Sequence, residues 1–149
     1  MDDVFLVVAG IPGAGKSTFS RWLAAEHGFV HRDVDTQGVP SGEILANRPI
    51  VIDWGFPAHE TALSSCIHLI EEWKQSGARL WWFDADRDMA LRSFMRRGTV
   101  SKDAWDYQLL GINKNWAKIE AVTDHRIDVL NADGVDLSAE ELYEIILSE

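Results

Sequence analysis

Eight consecutive residues carry the most specific chemistry in the chain. Gly10-Ile11-Pro12-Gly13-Ala14-Gly15-Lys16-Ser17 satisfies G-x-x-x-x-G-K-[ST] in full. To hold a phosphate chain, several backbone N–H groups must converge on it, and glycines are needed where a side chain would collide or where φ must be positive. A helix opening at Lys16 adds its dipole and the free first-turn amides of Lys16, Ser17 and Thr18. The Lys16 ammonium then serves as a mobile charge toward the β- and γ-phosphates, and the Ser17 hydroxyl as a magnesium ligand.

A metal beside a phosphate cradle needs carboxylate as well. Asp53 ends the apolar run Pro49-Ile50-Val51-Ile52, at the strand end where open α/β sheets place functional groups. It is the candidate magnesium-shell carboxylate, although an aspartate there also serves as a turn starter. Asp33 and Asp35 lie two apart after another short β-prone run; if the chain stays extended, both point to one side. Near a metal and a γ-phosphate such a pair can divide labour, one carboxylate orienting metal-bound water and the other accepting the proton of an attacking hydroxyl. Phosphoryl transfer also calls for cations around the equatorial oxygens. Arg92 and Arg96, four apart with Arg87 and Arg97 flanking, are the candidates; pairing with acids such as Asp88 is the ordinary alternative. The five histidines show no metal-ligand spacing, and Cys66 falls on an apolar helical stripe, which reads as core.

These residues need a scaffold of alternating strands and helices. Val4–Ala9 is continuously apolar, as a central strand covered on both faces should be. Phe19, Trp22 and Leu23 stripe the helix after it, and Gly28 stops that helix. Further strands are expected at Phe29–Arg32, Pro49–Asp53, Leu80–Phe83 and Ile127–Leu130, with Thr36–Asn47 read as a loop that has room for one helical turn. One helix is expected from about Asp86 to Arg97. A single helix from about Lys102 to Ile119 would bury Trp105, Leu109, Ile112, Trp116 and Ile119. Ser138 to Glu141 reads as a capping box before Leu142.

At 149 residues, 46% apolar and 26% charged, the chain should form one domain, residues 1–149, with a core of its own. Its net charge of −10 opposes a phosphodiester backbone and disfavours a nucleic-acid partner. No run is long enough to span a bilayer, and one cysteine excludes an internal disulfide, so a cytoplasmic location without membrane contact is the expectation.

The loop Gly10 to Ser17 resembles that of the P-loop kinases of small molecules and nucleotides, of the shikimate/gluconate-kinase and zeta-toxin/chloramphenicol-phosphotransferase types. Arg32-Asp33-Val34-Asp35 is similar to their acidic segment, where an aspartate acts as base or binds the acceptor. Val51 to Phe56 resembles the third strand of an ATP-binding subgroup, and Leu91-Arg92 with Arg96 the lid arginines. Leu130-Asn131-Ala132-Asp133-Gly134 resembles the adenine-contacting loop, which makes Asn131 a nucleotide-binding candidate. The resemblance implies a three-layer α/β fold with a five-stranded parallel sheet ordered 2-3-1-4-5. It implies ATP and Mg2+ as cofactors, and a nucleotide triphosphate and a small-molecule acceptor as partners. Lys16, Asp35, Arg92 and Arg96 are then the catalytic set, with Asp35 as base. Residues 10 to 18 bind phosphates, and Ser17, Asp33 and Asp53 surround the metal. A regulatory ATPase with water as acceptor is the alternative, a polynucleotide 5′-hydroxyl kinase a weaker one.

Overall fold

The computed structural model describes residues 3–96, 101–130 and 136–148. Five parallel strands, β1 (Phe5–Gly10), β2 (Val30–Asp33), β3 (Ile50–Trp54), β4 (Arg79–Ala85) and β5 (His125–Leu130), form one sheet in the order β2-β3-β1-β4-β5. That is the expected order. β1 is buried at every position, as its unbroken apolar sequence requires of a strand with a neighbour on each side and helices on both faces. Register places Asp53 beside Val8 of β1 and opposite Asp33 of β2. The carboxylates are therefore drawn to the strand ends next to the loop that follows β1.

Alternation assigns each side chain a face. Helix α1 (Lys16–His27) covers one face, with Phe19 against Phe83 at 5.7 Å between ring centroids. The other face is covered by α4 (Glu60–Gln75) and α7 (Trp116–Val122). There Trp73 packs on Phe5 and Trp54, and Trp82 lies between Phe56 and Trp116. Cys66 is buried in α4, as its stripe implied, and burial pushes its thiol pKa up. Among the described residues no helix is long and apolar enough to cross a membrane.

Two expectations change. The segment after β2 is not a simple loop: it holds the short helices α2 (Val34–Gln37) and α3 (Gly42–Leu45), the second capped by Ser41. The long helix expected to Ile119 is two, α6 (Lys102–Lys114) and α7, because Asn115 leaves helical geometry and turns its buried Nδ2 onto the Gly111 carbonyl at 2.9 Å. The face survives the break: Trp105, Ile112 and Ile119 are all buried. Helix α5 spans Arg87–Met95, and α8 (Ala139–Leu147) opens on the expected capping box, Ser138 and Glu141 each accepting from the other's backbone at 3.1 Å.

Candidate active site

The loop between β1 and α1 is shaped by close approaches. A Cβ on Gly10 would lie 2.2 Å from the Phe83 carbonyl oxygen, and one on Gly13 would lie 2.1 Å from the Ala90 carbonyl oxygen. Gly13 also has φ +83° and Gly15 φ +81°, values that L side chains resist. Pro12 and Ala14 are buried between these glycines, and the Ile11 amide is tied to Phe83 O at 3.2 Å. Gly15 caps α1 with no side-chain bond, so the first-turn amides of Ser17 and Thr18 have no intrahelical acceptor. Lys16 is buried, its Nζ donating to the carbonyls of Ile11 at 2.9 Å and Gly10 at 3.3 Å.

Ser17 Oγ donates to Asp53 Oδ1 at 3.2 Å, joining residues 36 apart. The other oxygen of Asp53, a residue only 1% exposed, is held by Nε2 of His31 on β2. Spacing along the chain gave His31 no distinction. The signal lies in the parallel register: His31 stands opposite Val51, so it and Asp53 share the face that α1 covers.

Asp33 and Asp35 do not alternate on an extended strand. The chain turns at Asp33, whose Oδ1 accepts the Asp35 amide at 3.1 Å and caps α2. This turn sends Asp35 toward the end of β3, where Oδ2 accepts the Gly55 amide at 3.0 Å. The crowding of protein around Asp35 raises its pKa above the ordinary carboxylate range. The charges of Asp33 and Asp53 add to that rise, while the Gly55 N–H and Lys16 oppose it.

Two clefts flank this centre. One, of about 440 Å3, is lined by Gly13, Gly15, Thr18, Arg96, Asp136 and Ser138. The other, of about 350 Å3, lies on the far side of Asp35 between the stretch after β3 and α6. Arg96, the C-cap of α5, therefore reaches a cleft, whereas Arg92 is exposed and lines neither. Arg97 and Asn131 lie outside the described residues. Arg87 turns away to the buried Asp84, not to Asp88, at 2.5 Å, and Arg126 of β5 binds the other oxygen of that carboxylate. Burial alone would raise the Asp84 pKa, but the two guanidiniums and the Ala85 amide overcome it and hold it low. Sequence reading passed over Asp84 because its partner Arg126 is 42 residues away.

Neither a protein-family model nor a curated protein matches the sequence significantly. Solved structures do. A shikimate kinase from Bacteroides thetaiotaomicron superposes with a TM-score of 0.59 at 15% identity, covering 97% of this chain and 98% of that one. A shikimate kinase from Acinetobacter baumannii in complex with shikimate gives 0.61 at 13%, covering 97% and 94%. A gluconokinase from Sinorhizobium meliloti 1021 gives 0.59 at 16%, covering 98% and 90%. The chain shares the fold of these proteins. At these identities the likeness is one of fold. Within that shared fold, the side chains at the carboxyl edge of this sheet are this chain's own.

No group of three or more His, Cys, Asp or Glu side chains among the described residues is arranged to hold a metal unaided. A magnesium site completed by one or two carboxylates, a hydroxyl and substrate phosphates asks for no such cluster. Ser17 and Asp53 match that donor set, and the glycines at 10 and 13 let the loop pack directly against the Phe83 and Ala90 carbonyls.

Proposed function

We propose that this protein transfers the γ-phosphoryl group of ATP to a hydroxyl of a small molecule. The observation that carries the reading is the Ser17–Asp53 hydrogen bond beside the glycine loop, with one cleft lined by that loop and Asp35 lining a second. The amides of Gly13 and of residues 15 to 18 bind the phosphates, and Lys16 exchanges its contacts with the Gly10 and Ile11 carbonyls for phosphate oxygens. The nucleoside occupies the cleft beside Thr18 and Arg96. Ser17 and Asp53, with Asp33 through water, would hold magnesium, which supplies neutralisation of charge on the β- and γ-phosphate oxygens.

Asp35 is the base. It accepts the hydroxyl proton as the acceptor oxygen bonds to the γ-phosphorus and the bond to the bridging oxygen breaks. A pKa above the ordinary aspartate value makes it a better proton acceptor than a solvated carboxylate. Arg96 stabilises the transferring charge, with Arg92 one turn away on the same helix as its reserve.

The test is to incubate the protein with magnesium, ATP and a panel of hydroxylated metabolites, and to look by mass spectrometry for one added phosphate. A phosphorylated acceptor is expected, and Lys16→Ala should lower its formation about 10²–10³-fold with the far-ultraviolet circular dichroism unchanged. Release of inorganic phosphate with no modified acceptor would overturn the reading in favour of water as acceptor.

A further inference from the structure

The cleft beyond Asp35 carries information about what it can receive. Its floor is the stretch Gly55 to Ala58, and its wall is Ala104, Tyr107 and Gln108 of α6. The two sides are locked together, because a Cβ on Gly111 of α6 would lie 2.7 Å from Ala58 backbone. Gly55 plays the same part at the mouth: a Cβ there would fall 2.9 Å from Asp35 Oδ2 and 3.5 Å from Gln108 Nε2. The pocket is thus formed by packing before anything enters it.

Its polar groups are unequal in kind. Asp35 offers a carboxylate oxygen beyond the one bound to Gly55 N–H. Gln108 has one amide N–H engaged by the Phe56 carbonyl at 3.2 Å, which leaves its amide oxygen as an acceptor and one neutral N–H as a donor. Pro57, Ala58 and Ala104 are apolar, and the Tyr107 hydroxyl can serve either way. Among the described residues no cation lines the cleft. Of the cations on flanking elements, Arg32 is engaged on the carbonyls of Gln37 and Gly38, Lys102 on Asp106 and Lys118 on Glu60. Asp33 and Asp53 extend the negative field behind Asp35. A carboxylate or phosphate entering here would meet the negative field of Asp35 with no cation among the described lining residues to offset it, while an N–H or O–H group would meet oxygens ready to accept it.

We propose that the phosphoryl acceptor is an alcohol rich in hydrogen-bond donors that bears no negative charge, and that hydroxy-carboxylates and phosphorylated alcohols are excluded. This inference rests on the kinase reading and names the acceptor class for the same site.

A matched series isolates charge from shape: shikimate, its primary carboxamide and its aminomethyl analogue share a ring and hydroxyls. Binding to the protein with magnesium and ADP, and kcat/KM with ATP, are measured for each. The carboxamide and the amine are expected to exceed shikimate by at least about tenfold in both, which corresponds to about 1.4 kcal/mol. Gln108→Arg, which adds a cation to the wall, should narrow or reverse that order. Equal or better use of shikimate by the unaltered protein would overturn the inference, as would failure of all three to bind or an order unmoved by Gln108→Arg. Loss of the kinase reading looks different: no compound gains phosphate although magnesium-dependent ATP turnover continues.

Discussion

Replacing Asp35 by Asn separates catalysis from folding more cleanly than any other change in this chain. The side chain has one hydrogen bond to the fold, from Gly55 N–H to Oδ2 at 3.0 Å, and an asparagine oxygen can accept that bond. What it cannot do is take a proton from a hydroxyl. General-base catalysis contributes about 10²–10⁴-fold, or about 2.7–5.4 kcal/mol at 1.36 kcal/mol per tenfold, so phosphoryl transfer should fall by that factor while ATP affinity holds. Stability should move little or upward. Partial desolvation of this side chain by the protein around it, then the charges of Asp33 and Asp53, lift the folded-state pKa above the unfolded value although one side of it faces solvent. Ionising Asp35 therefore costs stability, a loss that sets in as pH rises through the unfolded value and is complete above the folded one. At neutral pH the asparagine relieves that cost and forfeits about 1 kcal/mol by weakening a charge-assisted bond. The assay is product formation across pH, beside nucleotide affinity and a thermal melt. The wild-type rate should climb through the raised pKa of Asp35, and that limb should be missing in the variant. Turnover within about threefold of wild type would refute the base assignment; collapse of ATP affinity would instead move Asp35 into the metal shell.

The remaining predictions concern the scaffold of the site. Gly13→Ala should lose ATP binding and about 3 kcal/mol of stability, roughly 10 °C in Tm, because its Cβ would meet Ala90 O at 2.1 Å and φ is +83°. Gly15→Ala, with open space around its Cβ, should cost about 1–2 kcal/mol from the left-handed backbone alone. His31→Ala removes the partner of the second Asp53 oxygen and should raise the magnesium concentration needed for half-maximal activity about 10–100-fold; His31→Asn should recover part of that, and an unchanged requirement would show that His31 does not orient Asp53. Asp84→Ala should cost about 2 kcal/mol in a denaturant titration at neutral pH, less than the about 3–5 of a fully buried pair, since Arg87 and Arg126 are about half exposed. Because the folded pKa of Asp84 is depressed, its contribution is present above the unfolded value and lost as pH falls through the folded one, so the wild-type and variant curves should converge in acid.

The phosphate loop was legible in the letters alone because its parts are neighbours along the chain. Eight adjacent residues contain the glycines that permit close approach, the lysine, the serine and the start of the helix, and local backbone sterics dictate most of their geometry. The central strand, the helix stripes and the Ser138–Glu141 cap were readable for the same reason, since each depends on spacings of a few residues. The acidic side of the site was readable only as a set of candidates. Asp53 reaches Ser17 across 36 residues, His31 reaches Asp53 across 22, and Gly55 reaches Asp35 across 20. Those meetings are decided by which strands pair and in what register, a property of crossover connections and packed layers that no local pattern encodes. The turn at Asp33 and the break at Asn115 are local choices by contrast, each side chain taking a backbone partner two or four residues away over continued regularity.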